Sequence, residues 1–274
     1  MELKITLKKT AQLGMNKFLS QSETIELDCK GVLNVNLTLN PSSKGNLILI
    51  VHGDGEINLK ITAAKNSEWK YLWLNKSSGE LVVKETLVLM DDATLSASYG
   101  EMSYGFHEKE LRIHYQGHRA LCELTAAVMT FGSLKWHLLA DHKATDGYSS
   151  MNTNAIIVDE GHLNLEVAGA ISKGCVRSKT HQMSRILNLG TQSQAIVFPK
   201  LLIDENDVEA SHAASVGQAN EDHIYYLQSR GLSRVQALKL LIKGYLMPVV
   251  HLIDDEIIKD SLIQEIEEKV SSYV

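Results

Sequence analysis

The chain has 274 residues, 44% of them hydrophobic and 22% charged, with a formal net charge of −6. That is enough apolar surface for one large domain or two modest ones, and the acidic balance offers no global basic field for nucleic acid or anionic lipid. The N-terminal MELKITLKKTAQLG lacks a continuous apolar core, and runs such as LTAAVMTF (124–131) are too short to cross a bilayer; no secretory leader or membrane segment is expected, and the chain reads as cytoplasmic.

Taken in order, the first two thirds are short period-two runs. Leu33, Val35, Leu37 and Leu39 alternate with polar partners, as do Leu47, Leu49 and Val51, then Ile57, Leu59 and Ile61. The pattern returns at Leu111–Tyr115, Leu134–Leu138 and Leu163–Val167. Strict alternation means strands with one buried face. Turn-forming clusters separate the runs: HGDGE (52–56) reads as a hairpin turn, Asp91–Asp92 and VDEGH (158–162) as turns. This spacing fits a sandwich, a barrel or a stacked β-solenoid, and no exact repeat unit chooses among them.

From residue 220 the period changes. Asn220 is placed as an N-cap with Glu221 and Asp222 in the first turn, and the helix stops at Gly231. Ser233 caps a second helix expected to end before Pro248. A third, from about Asp254, carries Ile258, Leu262, Ile266 and Val270 on one stripe. Helices following a β body predict an α+β arrangement with the helices segregated at one end. The domain division is therefore 1–218 for the β core and 219–274 for the helical part.

Motifs for catalysis do not stand out. There is no nucleophile elbow, phosphate loop, dinucleotide fingerprint or HExxH. The carboxylates are dispersed, whereas a carbohydrate-cleaving β-helix needs them clustered in a groove. Cys29, Cys122 and Cys175 are far apart and form no zinc framework, so they read as reduced, buried thiols. Eleven histidines include His107, His114, His118, His137 and His142. In a strand, His114 and His118 would share one face that a metal could use.

His212 differs in its surroundings. DVEASHAASVGQ (207–218) sets one imidazole among Ala210, Ser211, Ala213, Ala214, Ser215 and Gly217. Small residues permit close approach of another backbone, leaving the ring as the metal-binding or proton-exchanging group of the patch. On the residues alone, a packed loop histidine is the plainer reading.

The stretch LLIDENDVEASHAASVGQANEDHIYYLQSRGLSRVQALKLLIKGYL (201–246) resembles the C-terminal core of the SufB/SufD family of iron–sulfur cluster assembly proteins. Its pieces fall in family order: the FPKLLIDENDVEASH approach, the SHAASVG turn, the YYLQSRG helix and the capped helix from GLS. The resemblance implies a right-handed parallel β-helix followed by a small helical domain. It also distinguishes paralogues. Where SufB-type members carry a cluster-assembly cysteine this chain has Ser184, and where they carry glutamate after the histidine it has Ala213. Some SufD-type members carry a cysteine two residues before the histidine; here it is Ala210. The pattern is of the SufD type.

By that resemblance the chain is a non-catalytic subunit of a SufBCD scaffold, pairing across a sheet edge with a SufB-like paralogue and docking a SufC-like ATPase. His212 would face the cluster interface, with Ser211, Ala213, Ser215 and Gly217 against the partner. Tyr225, Tyr226, Arg230, Leu238 and Tyr245 would face the ATPase. Thiolates, sometimes with imidazole, hold iron–sulfur clusters, so no cofactor is expected to stay on this chain alone; iron or a cluster would pass transiently through the complex. An alternative is a homodimeric scaffold holding iron or a cluster itself through Cys175, His181 or His212.

Overall fold

In the structure, a computed structural model, residues 4–8, 13–190, 192–250 and 256–273 are described. Strands β1 (Lys4–Lys8), β2 (Leu13–Leu19), β3 (Glu23–Leu39), β4 (Lys44–Ala63) and β5 (Glu68–Asn75) open the chain. They are followed by β6 (Glu80–Leu89), β7 (Thr94–Ser103), β8 (Phe106–Tyr115), β9 (Leu121–Thr130) and β10 (Ser133–His142). The series ends with β11 (Tyr148–Ile157), β12 (His162–Ile171), β13 (Lys179–Asn188), β14 (Gln194–Ile203) and β15 (Glu209–Gln218).

Among the described residues every pairing is parallel; β1 and β2 pair with β3 and β3 with β4, and beyond β4 odd strands neighbour odd strands while even neighbour even. The chain is a β-solenoid, wound so that each coil contributes one strand to each of two sheets. Register partners are 26 residues apart at Glu80–Phe106 but 32 apart at His162–Gln194. The coil length drifts, which hides the repeat from the sequence.

Long β4 joins the sheets: Lys44–Val51 pairs with β5, and Gly55–Ala63 with β6. HGDGE is therefore a bend within one strand, not a hairpin turn. Gly53 (φ 83°) and Gly55 (φ 137°) supply left-handed backbone there, and a Cβ on Gly53 would lie 2.1 Å from the Cys29 carbonyl oxygen. Parallel stacking needs this corner, because a hairpin would reverse the chain. At the opposite corner Asn66, Asp92, Arg119, Asp146 and Arg177 repeat a left-handed turn with φ near 60°. Each turn is tied to the next coil, as in Asp92 N–H to His118 O at 2.9 Å. Bidentate pairs Arg119–Asp92 and Arg177–Asp146 add side-chain rungs.

Inside, the core runs from aromatic to polar along the axis. Trp69, Tyr71 and Trp73 stack on Leu95, Ala97 and Tyr99, then on Cys122, Leu124 and Ala126. The next inner layers are Ser149, Met151, Thr153 and finally Thr180, Gln182, Ser184.

The tail forms α1 (Glu221–Ser229), α2 (Arg234–Val250) and α3 (Glu256–Tyr273). Asn220 caps α1 by accepting from the N–H groups of Asp222 and His223, and Gly231 takes φ 94° after its end. Ser233 and Gln236 form a reciprocal box at the start of α2. Two expectations need correction. Pro248 lies inside α2, in its last turn, where burial of Val249 and Val250 holds the helix past the lost N–H. The helices also fold back along the flank instead of gathering at one end. Ile242, Leu246 and Val249 of α2 with Leu262, Ile266 and Val270 of α3 cover Leu72, Leu74, Met102, Ala127, Met129 and Ile156 on the outside of the odd-strand sheet. Those outward apolar residues would otherwise meet water.

Candidate partner-facing site at the end of the solenoid

The strand order ends at β14 and β15; β15 pairs with β13 on one side and, among the described residues, leaves its other edge open. SHAASVG is therefore the centre of an edge strand, not a turn. Small residues suit this: all ten residues of β15 are exposed, so no inner layer selects bulky side chains. An open edge presents a row of unpaired backbone groups, a template for another strand. On β14, Ile196, Phe198 and Leu202 are exposed, as is Val216 on β15. Glu209 is ion-paired to Lys179 at 2.7 Å, which holds its carboxyl below the ordinary range.

Register decides where the imidazole points. Gln182 of β13 is buried and faces the interior, and its partner on β15 is His212. In-register parallel strands carry matching faces, so His212 continues the inner layer at the uncovered end. Ser184 shares that face, beside Ala214. Ser184 is buried, so of the two it is His212 that carries this inward face to the exposed end. Ser211, Ala213, Ser215 and Gly217 alternate with His212 and occupy the opposite face of the same strand. His181 is also on that opposite face, its Nδ1 2.8 Å from Ser211 Oγ.

Within one chain the donors for a self-contained centre do not converge. Cys175 is buried with its thiol 3.4 Å from the His142 carbonyl oxygen, His181 faces outward and His212 inward at the end. Burial pushes the thiols of Cys29 and Cys175 up and that of Cys122 to about 12, which keeps them protonated and poor as ligands. Among the described residues no three His, Cys, Asp or Glu groups are gathered as an ion would require.

The other histidines have separate partners. His107 is buried 2.5 Å from Glu101, His114 lies 3.3 Å from Asp141, and His118 contacts Thr145. His137 is 3.9 Å from Glu166, and His142 stacks on Tyr115 with centroids 4.1 Å apart. His114 and His118 do not share a strand face, because β8 ends at Tyr115.

A second surface lies on the helices. Tyr225 and Tyr226 are exposed on α1, Arg230 covers the Tyr226 ring at 5.2 Å, and Val235 and Leu240 are exposed on α2. Leu238 is half-buried, whereas Tyr245 turns partly into the helix–sheet core. No motif in the sequence marks Gln182; its signal is the alternation of KTHQMSRI, in which Thr180, Gln182 and Ser184 take the inward positions.

Residues 37–245 match the family model described as SUF system FeS cluster assembly, SufBD core domain. The chain belongs to this SufBD core family. It is similar to the iron–sulfur cluster assembly protein SufD of Bacillus subtilis, 38% identical over 128 residues, which are 47% of this chain and 29% of that protein. SufD of Plasmodium falciparum is 21% identical over 260 residues, 84% of this chain and 17% of the relative. A SufBD family protein of Pyrococcus horikoshii is 27% identical over 141 residues, 50% of this chain and 31% of its own length. The aligned segments thus span less than a third of each of these relatives. Two of these three relatives are named SufD, and the SufBD chain is of that type. No helix among the described residues is long and apolar enough to cross a membrane.

Proposed function

We propose that this chain acts in iron–sulfur cluster assembly as a non-catalytic, SufD-type subunit of a cytoplasmic SufBCD scaffold. The observation that carries the reading is the open edge of β15, which sets an exposed imidazole on an end surface while all three thiols of the chain are buried. A SufB-like paralogue adds its strand to that edge and supplies the cysteine and glutamate this chain replaces with Ser184 and Ala213. His212 contributes one ligand or a proton-handling group to iron or the cluster as cargo. The exposed aromatic surface of α1, with Leu238 on α2, docks a SufC-like ATPase, whose movement pulls the helices and opens the interface.

Co-expression with a SufB-like and a SufC-like partner tests the assembly. A ternary complex is expected on size-exclusion chromatography, and failure of both to bind at micromolar concentration sinks the proposal. In that complex, His212→Ala should keep the assembly intact and lower cluster yield on anaerobic reconstitution; unchanged yield removes His212 from its role. A stable cluster on this chain alone would favour the homodimeric scaffold instead.

A further inference from the structure

The last inner layer of the solenoid contains a polar group with an unmet requirement. Gln182 is 4% exposed, in a position its neighbours fill with Thr180 and Ser184. Its Nε2 donates to the Lys200 carbonyl oxygen of β14 at 3.0 Å, while its Oε1 has no hydrogen-bond partner among the described residues. The assignment of the two amide ends follows from that bond, since the reverse orientation would press oxygen against oxygen. The free end of Gln182 is therefore an acceptor.

The space for this side chain is built in. Gly169 on β12 faces the same interior, and a Cβ there would lie 2.5 Å from Thr180 Oγ1 and 3.0 Å from Gln182 Nε2. A side chain at Gly169 would press first on Thr180 and then on the Gln182 amide. On the far side of Gln182, its register partner is His212. Neighbouring strands are about 4.8 Å apart, which puts the side chains of Gln182 and His212, on one face, within reach of one another. The His212 ring is exposed and can turn about its two side-chain torsions.

We propose that Gln182 is a positioning residue for His212: its buried carbonyl oxygen accepts one ring N–H, fixing the tautomer and aiming the other nitrogen out of the solenoid end. The inference rests on the reading of His212 as a cargo ligand. A neutral imidazole has one donor nitrogen and one acceptor nitrogen. Giving the donor to Gln182 leaves the lone pair for iron or for a proton from the partner. A buried carbonyl without a donor is costly, so the isolated chain has reason to make this bond before a partner arrives. Metal-binding histidines generally donate their second nitrogen to such an acceptor.

The test uses the full chain with ring-15N-labelled histidine. Two-bond 1H–15N spectra are recorded at alkaline pH, and the His212 signals are assigned by their loss in His212→Ala. A single tautomer is expected in the native chain, averaging of the two nitrogen shifts in Gln182→Met, and retention of one tautomer in Gln182→Glu, which keeps an acceptor. Averaged signals in the native chain overturn the inference, as does an unchanged His212 pattern in Gln182→Met. If Gln182→Met unfolds, Gln182→Glu decides alone: an averaged ring in a folded Gln182→Glu chain refutes the role. In the reconstituted complex, ferrous ion is the probe, and Gln182→Met should weaken its binding about 10–100-fold; native affinity there refutes the link to the ligand role. A fixed tautomer alongside an inert His212→Ala would retain the positioning and discard the assembly reading, so the two failures are separable.

Discussion

Lys109 Nζ lies 2.6 Å from Glu85 Oε2, with both side chains closed off from solvent inside the solenoid. The ammonium also sits 3.8 Å from the Trp73 ring centroid, and Tyr99 donates its hydroxyl to the other Glu85 oxygen at 2.9 Å. Burial pulls the Lys109 pKa down while Glu85 acts against that shift, and burial pushes Tyr99 up. The group is a closed polar unit among apolar layers. Lys109→Met should cost about 3–5 kcal/mol by stranding the carboxylate. Lys109→Met with Glu85→Leu should recover most of that loss. Urea unfolding of the three chains checks it, and a single variant losing under about 1 kcal/mol would contradict the buried pair.

His142 gives the structure a pH dependence of known sign. Its pKa is lowered from 6.5 to about 4, mainly by burial, with the Asp141 carboxylate opposing. Between those values the unfolded chain binds a proton that the folded chain refuses, so stability rises with pH through the interval. The contribution is complete above about pH 6.5 and is lost on acidification toward about pH 4, amounting to at most about 3.5 kcal/mol at roughly 1.4 kcal/mol per unit. Carboxylates titrate in the same range, so the comparison is with His142→Gln. Its unfolding free energy should change less steeply over this window; identical slopes would show that His142 is not the group responsible.

Gly53 tests the corner of β4. With φ 83° and a would-be Cβ 2.1 Å from the Cys29 carbonyl oxygen, an alanine there meets both backbone strain and fixed backbone atoms. Gly53→Ala should destabilise by more than about 1 kcal/mol. Gly244 in α2, with nothing within 4 Å of its would-be Cβ, is the control: Gly244→Ala should stabilise by roughly 0.4–1 kcal/mol. Equal effects on thermal unfolding would refute the distinction.

How far residues alone could reach differs by element. The alternation at Leu33–Leu39, Leu111–Tyr115 and Leu163–Val167 carries the strands because one face of each is buried, and Asn220, Gly231 and Ser233 mark helix boundaries through their own hydrogen-bonding or backbone geometry. The stacking of those strands into a solenoid was not legible from period two, since the separation of register partners drifts from 20 to 32 residues and in-register pairing has no local signature. HGDGE illustrates the limit: glycine permits a hairpin and a corner equally, and the neighbouring coil decides. At the end site, His212 was found from its bare surroundings and the family resemblance. Its face was not, because β15 has no buried alternation of its own; only pairing with β13 and Gln182 defines it.

The cap of α1 links local structure to the proposed ATPase surface. Asn220 Oδ1 accepts from Asp222 N–H at 2.8 Å and His223 N–H at 3.3 Å, and α1 buries one side chain, Ile224. With so little packing, the helix depends on its cap. Asn220→Ala should cost about 1 kcal/mol, and Asn220→Gly only a few tenths. Amide exchange should quicken in 221–229 while β9 and β11 stay protected. A uniform change across the chain would contradict an effect confined to the cap.

Leu246 tests whether the helices fold with the solenoid or merely rest on it. It is 2% exposed, in the layer where α2 and α3 meet Met102, Ala127 and Met129 from the sheet. The solenoid interior is a separate layer, built from residues such as Leu124, Trp136 and Leu165. Leu246→Ala leaves a cavity in the outer layer alone and should cost about 2–5 kcal/mol there. Because strands β5 to β13 keep their own core and ladder bonds, the loss should appear as early release of α2 and α3 in hydrogen exchange, ahead of the strands. Lys269, which donates to the Met102 carbonyl oxygen at 2.6 Å, and the Lys76–Glu265 pair at 3.1 Å would part in the same step. If α2 and the strands instead lose protection together at one denaturant concentration, the two layers are one cooperative unit, and motion of the helices could not open the end interface without disturbing the solenoid.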